Sequence, residues 1–304
     1  MLSPRLCAHL CALGTTVVWG MTVISTKVLL EDYTPLEIAL YRFILAVAVM
    51  HVLWPRRFRH GGGWRTELLF LGAGASGITL YFFCENLALT YTYASNVSLI
   101  ICAAPFLTGL GARLFLGETL HANFFTGFLV AMTGIFCISF TGVTVLKLNP
   151  AGDLLAAGAA LCWACYSIFT RRIFARGYPM MEATRRILWW GLITLALAVP
   201  FQDSLTPPDV TSATMWVNFL FLGVLASSVC FVTWNYSLHI LGAVRSTAYI
   251  YLTPVVTVVA ACLILDERVT LLSGTGMVLT LAGLLLSEKR GNVLAFLKTR
   301  KGAR

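Results

Sequence analysis

A stretch that occurs twice constrains this chain more than any single motif. Residues 81–118, YFFCENLALTYTYASNVSLIICAAPFLTGLGARLFLGE, are almost entirely apolar, yet they carry Glu85, Pro105 and a closing Gly117-Glu118. Shifted by the 149 residues that separate Pro105 from Pro254, Asn86 falls on Asn235, Ala94 on Ala243 and Glu118 on Glu267. The match runs back to Gly74 over Gly223 and on to Gly127 over Gly276 and Gly134 over Gly283. A fixed offset kept over about sixty residues marks an internal duplication, so the fold is built from two copies of one unit. The earlier part of each copy repeats at an offset of 144: Gly14 falls on Gly158, Trp19 on Trp163, Ile24 on Ile168, Thr26 on Thr170, Pro35 on Pro179 and Arg42 on Arg186. The loop 202–211 supplies the extra residues of the second copy.

The chain is 58% hydrophobic and 12% charged over 304 residues, with a mean hydropathy of +0.82. Soluble domains carry about 25% charged residues, so this composition belongs to a membrane protein. A membrane crossing takes about twenty mainly apolar residues. The segments that qualify are 8–29, 35–54, 66–89, 93–116, 121–141, 152–174, 180–200, 213–239, 243–265 and 270–288. The expected fold is therefore an all-α integral membrane protein with ten transmembrane helices. An odd number per copy makes the copies enter the membrane from opposite sides, as two inverted five-helix repeats. The expected boundaries are 1–145 and 146–290, followed by a basic tail over 291–304.

The net charge of +9 lies in short clusters between apolar runs, a topology signal and not a nucleic-acid-binding face. With a cytoplasmic N-terminus, all but four of the 22 Lys and Arg fall on the inner side; the four are Lys27, Arg42, Lys147 and Arg268. Both termini are therefore expected in the cytoplasm. The first apolar run is long enough to span and lacks a cleavage site, so no signal peptide is expected. The nine cysteines lie in apolar runs, and Cys162-x-x-Cys165 is read as packing.

Trp19-Gly20, Pro35 with Arg42, Ala88-Leu-x-Tyr91-Thr92-x-Ala94-Ser95, Pro105, Gly117-Glu118, Gly127 and Gly134 resemble the drug/metabolite transporter superfamily in its ten-helix form with two EamA-type domains. The second half repeats the pattern with Trp163, Arg186, Ala243, Pro254, Asp266-Glu267, Gly276 and Gly283, so the resemblance covers about residues 8–288. It implies export of small metabolites, such as amino acids, nucleobases or drugs, across the bacterial inner membrane. It also implies a central cavity between the halves and no nucleotide hydrolysis. Gly117-Glu118 resembles the family's loop signature and is read as structural.

Among the polar groups, Glu85 is the most informative. A charge within a spanning helix is costly and normally faces the bundle interior or a water-filled cavity. It lies about 6 Å inside the outer boundary, at a depth comparable to that of Arg42. Two readings stand side by side: an ion pair with Arg42, or a carboxylate that alternately holds a proton and a substrate amine. Position 85 corresponds to Trp234, so the halves diverge there. Tyr81 stands one turn before Glu85 on the same face. Trp19, Trp163, Tyr166, Trp234 and Tyr249 offer flat faces that either line a pocket for an aromatic or cationic ligand or fill the core. Asn86 and Asn235 recur in both copies and suit a shared structural hydrogen bond or a site role. Pro105 and Pro254 fall within apolar runs and are read as paired kinks, either gating bends or static kinks filled by packing. His51 and His239 are expected to be solvated near the cytoplasmic surface, and the tail to be solvated or to lie on anionic lipid.

No nucleotide-binding loop, paired catalytic carboxylates or metal-ligand spacing stands out, so neither an enzyme nor a metal or cofactor is expected. The expected partners are a small-molecule substrate and membrane lipid, with no nucleic acid, in a monomer or dimer. Proton exchange or simple facilitated flow is the expected driving force, with Glu85 favouring the first.

Overall fold

The computed structural model describes residues 3–55, 63–91, 94–139, 149–201, 205–209, 211–265 and 270–288. The Asp266-Glu267 pair, Thr92, Lys147, Arg268, the boundary at 145 and the tail 291–304 lie outside the described residues. Among the described residues the architecture is all helical, with no strand.

The helices are α1 (Pro4–Leu29), α2 (Pro35–Leu53), α3 (63–91), α4 (94–116), α5 (Ala122–Ser139), α6 (Pro150–Ala175), α7 (Met180–Ala196), α8 (Ala213–Leu241), α9 (243–265) and α10 (Leu271–Glu288). Local chemistry sets several starts. Ser3, Thr34 and Asn149 each cap a helix whose first residue is proline, so the missing N–H falls where no helical bond is needed. At α2 the cap is reciprocal: Glu37 N donates to Thr34 Oγ1 at 3.4 Å, and Thr34 N donates to Glu37 Oε2 at 2.6 Å.

Seven described stretches are long and apolar enough to cross a membrane, in α2, α3, α4, α5, α6, α8 and α9. The chain is a multi-pass membrane protein. This is fewer than the ten crossings expected. The apolar stretch of α10, Leu271–Ser287, is shorter, and α7 has 17 residues and carries Glu182, Arg185 and Arg186.

α1 packs on α8 and α9, and α6 packs on α3 and α4. α2 packs on α8, and α7 packs on α3. Three further pairs are α2 with α7, α4 with α9, and α5 with α10. Lipid removes the hydrophobic drive for helices to associate, so backbone proximity and dispersion hold such pairs. The α5–α10 contact shows this most plainly. A Cβ added to Gly134 would lie 2.5 Å from the carbonyl oxygen of Gly276, and one added to Gly276 would lie 2.5 Å from that of Gly134. Only glycine at both positions allows that approach.

Backbone irregularities recur at matching places. α3 widens into a π-helical stretch at Ala75–Leu80, and α8 does so at Phe221–Val229. α4 is broken by a turn at Cys102–Ala103 just before Pro105, and α9 tightens to a 3-10 turn at Tyr249–Tyr251 just before Pro254. This corrects the expected kinks. Pro105 lies in the first turn of the helix Ala104–Leu116, and Pro254 is the third residue of Leu252–Leu265. Each proline opens a new helical segment and does not bend a continuous one.

Side-chain bonds sort the helix ends into two groups. At one end Tyr41 Oη donates to Thr206 O at 2.6 Å, Asp209 N donates to Tyr33 Oη at 2.9 Å and Asn149 Nδ2 donates to Tyr91 O at 2.9 Å. At the other, Arg185 donates to Trp54 O, and Arg176 donates to Thr66 Oγ1 at 3.1 Å.

Candidate functional site

Tryptophans at matching positions of α1 and α6 meet in the middle of the bundle. The ring centroids of Trp19 and Trp163 are 5.3 Å apart, edge to face, and Trp234 of α8 lies 5.0 Å from Trp19 and 5.9 Å from Trp163. Tyr166 and Tyr81 join at 5.1 and 5.4 Å from Trp163. Phe231 links Trp19, Tyr166 and Phe43 at about 6 Å each, and Phe43 touches Phe82 at 5.7 Å. Edge-to-face and tilted pairs of this kind each contribute about 0.5–1.5 kcal/mol beyond burial. A Cβ on Gly77 would lie 2.4 Å from the Tyr166 ring, so this glycine of the π-helical stretch makes room for it. The cluster draws side chains from α1, α2 and α3 on one side and α6 and α8 on the other.

The polar atoms at the cluster separate into satisfied and unsatisfied groups. Trp19 Nε1 donates to Ala226 O at 3.0 Å, a carbonyl within the π-helical stretch of α8. The indole nitrogens of Trp163 and Trp234 are buried, and neither has a hydrogen-bond partner among the described residues. Buried donors without acceptors are costly. Tyr81 Oη donates to Glu85 Oε1 at 3.2 Å, as their spacing on one helix face predicts. Both side chains are partly buried.

Of the two readings of Glu85, the ion pair with Arg42 is not formed. Arg42 Nε donates to Ser227 Oγ of α8 at 2.8 Å, and its guanidinium lies 5.0 Å from the Phe82 ring centroid and 5.5 Å from that of Phe43. Equal depth along two helices allowed the pair; the rotation of α2 turns the guanidinium toward α8 instead. The paired asparagines also part company. Asn235 is fully buried, accepting from Tyr166 Oη at 2.6 Å and donating to Thr184 Oγ1 at 3.0 Å. Asn86 has no hydrogen bond to the described residues. Tyr249 stands apart from the cluster, bonded to Nδ1 of His9 at 2.7 Å. His51 is engaged, accepting at Nε2 from Trp189 Nε1 at 2.9 Å.

Two features escaped sequence reasoning. Arg186, the counterpart of Arg42, pairs with Glu67 of α3, which also accepts from Trp190 Nε1 at 3.1 Å. The second is a junction between the α4–α5 connection and the start of α9. Gly117 ends α4 in the left-handed region with φ +68°, a conformation that favours glycine. Glu118 then reaches across, accepting from Ala243 N at 3.2 Å and Val244 N at 3.4 Å and lying 3.7 Å from Arg171 Nε of α6. Arg171 Nη1 in turn donates to the carbonyls of Leu238 and His239 at 3.1 and 2.9 Å. A carboxylate at a helix N-terminus meets both free N–H groups and the positive end of the dipole. The junction borders a cavity of about 390 Å³ that also reaches His121 and Arg245. The signal for Glu118 was its place in the repeat; its partners were not legible.

No group of three or more His, Cys, Asp or Glu side chains among the described residues is arranged to hold a metal.

The chain matches the model of the EamA-like transporter family twice, over residues 6–140 and 150–288. A probable amino-acid metabolite efflux pump of Escherichia coli (strain K12) is 27% identical over 91% of this chain and 93% of its own length. A probable terminal-alkyne amino-acid exporter of Streptantibioticus cattleyicolor is 29% identical, over 91% of each. An uncharacterized transporter of Archaeoglobus fulgidus is 28% identical over 93% of this chain and 97% of its own. One crystal structure superposes with a TM-score of 0.77 at 21% identity, covering 94% of this chain and 99% of that one, which shows a shared fold. Multiple apolar helices, the duplicated framework and these matches agree: the chain belongs to the EamA-like transporter family.

Proposed function

We propose that this protein is a secondary transporter of the bacterial inner membrane that exports small metabolites, amino acids and related compounds first among them. Two inverted five-helix halves, 1–145 and 146–290, alternate access to a site between them. The observation that carries the reading is the aromatic cluster, which takes side chains from both halves, holds two indole N–H groups with no partner among the described residues, and reaches Glu85 through Tyr81. A small molecule with flat apolar and polar parts completes such a site. The helix pairing supports the inverted repeat: exchanging α1–α5 with α6–α10 maps the packing pairs onto one another, and the π-helical stretches and helix breaks follow. The relatives' names support the export of amino-acid compounds.

The Lys and Arg distribution supports cytoplasmic termini and a cytoplasmic α4–α5 connection. Glu85 supplies a proton carrier, so proton exchange drives the export, and no bound cofactor is required. The test is counterflow in proteoliposomes holding only the purified protein, loaded with an unlabelled amino-acid mixture and diluted into a labelled one. The reading requires label to accumulate; a membrane scaffold gives none. In whole cells, single cysteines at Thr119 and Pro207 should react from opposite faces, and labelling of both from outside would overturn the assigned topology.

A further inference from the structure

Arg42 is a buried cation that no carboxylate of the described protein touches. It is 6% exposed, and its one hydrogen bond to the described residues is the contact of Nε with Ser227 Oγ at 2.8 Å. The two terminal nitrogens, which form the fork that grips carboxylates, make no hydrogen bond there. Phe82 and Phe43 flank the guanidinium at 5.0 and 5.5 Å, and Phe43 carries it to the aromatic cluster through Phe231. The counterpart Arg186 is finished by comparison, with Glu67 on its guanidinium and Trp190 holding the second oxygen of that carboxylate. A buried guanidinium whose terminal N–H groups meet no acceptor among the described residues is costly, so an anion that supplies those hydrogen bonds in the working protein gains by doing so.

The chemistry of that anion follows from its surroundings. A guanidinium presents parallel N–H groups that match the two oxygens of a planar carboxylate. Glu85, hydrogen-bonded to Tyr81 next to Phe82, lies within electrostatic reach of Arg42 and opposes any ligand with surplus negative charge. A ligand that satisfies both groups brings a cation for Glu85 as well as an anion for Arg42. Its apolar part then meets the tryptophan faces.

We propose that Arg42 is the specificity-determining residue of the transport site, receiving the carboxylate of a substrate whose amine is held by Glu85. This rests on the transporter reading and goes beyond it by assigning the residue that reads the acid. The competing account makes Arg42 a bolt between α2 and α8 through Ser227.

Ligand chemistry separates the two. L-Phenylalanine, L-phenylalaninamide and 2-phenylethylamine share a ring and an amine, and the first alone carries a carboxylate. Titration calorimetry on the purified full-length protein should show L-phenylalanine bound at least about tenfold more tightly than either amine. Arg42→Gln should remove that preference, weakening L-phenylalanine about tenfold while leaving the two amines unchanged, and Arg42→Lys should fall between. Equal binding of acid and amide by the unaltered protein overturns the proposal, as does binding of none of the three. Equal weakening of all three by Arg42→Gln also overturns it, in favour of the bolt. If Arg42→Gln does not fold, the three-ligand comparison on the unaltered protein decides alone. Counterflow of the amino-acid mixture with no acid preference defeats this proposal only; absence of counterflow defeats the transporter reading.

Discussion

Arg42 and Arg186 occupy the same place in the two halves and meet opposite environments. Arg186 lies on Phe70 at 4.6 Å and is neutralised by Glu67 of the helix packed beside it. Arg42 lies on Phe82 and Phe43, and the helix beside it offers only the hydroxyl of Ser227. The reason is visible in the repeat. Carried over by the offset of 149 that also separates Pro105 from Pro254, both acids of α3 become tryptophans in α8: Glu67 corresponds to Trp216 and Glu85 to Trp234. One half keeps its arginine as a structural pair; the other leaves the terminal nitrogens of its arginine without a partner among the described residues. The two copies share a backbone frame, and divergence of a few side chains gives their arginines different surroundings.

The largest expected effect comes from making the closed arginine resemble the open one. Glu67→Gln removes the partner of Arg186. Breaking a fully buried pair costs about 3–5 kcal/mol, and Glu67 is a third exposed, so about 2 kcal/mol is expected. That should lower the melting temperature by several degrees and leave transport selectivity intact. A change in acid-over-amide preference in this variant would erase the distinction between the two arginines.

A smaller effect is expected at the Glu118 junction, which ties the two halves together at one end. Glu118→Gln weakens a partly exposed contact by about 1 kcal/mol. If that end opens and closes during transport, the loss shifts the population about fivefold toward the open form. A cysteine at Thr119 should then label about fivefold faster than in the parent, and an unchanged rate would make the junction a static tie.

Least of all is expected from Pro105→Ala and Pro254→Ala. Both residues lie in the first turn after a break, where no N–H is needed, so stability should change by less than about 1 kcal/mol. Transport should slow in both if the preceding breaks are hinges. Unaltered rates in both would reduce the prolines to helix starters.

Much of the frame was legible because it depends on periodicity and punctuation. The offset of Pro105 from Pro254 located matching backbone breaks, and Thr34-Pro35 and Asn149-Pro150 announced helix starts. The Tyr81–Glu85 bond followed from helical spacing, whereas equivalent position flagged Trp19 and Trp163 without showing that they meet. What was not legible depends on rotation about a helix axis. Depth made an Arg42–Glu85 pair feasible, but azimuth turned Arg42 to Ser227. Asn86 and Asn235 share a register, yet Asn235 alone meets a tyrosine hydroxyl and a threonine. Tyr249 has the residue type of a cage member and sits against His9 instead. Phe43, Phe82 and Phe231 were hidden among many apolar neighbours.

The most direct test is proton-driven flux measured together with thermal stability for Glu85→Gln. No ion pair links Glu85 to Arg42, so the amide should keep the Tyr81 contact and melt within about 2 °C of the parent, in keeping with a change well below 1 kcal/mol. In proteoliposomes under an imposed pH gradient, the variant should lose concentrative transport and keep slow downhill exchange. A stable Glu85→Gln protein whose flux still follows the pH gradient would contradict the account at its centre.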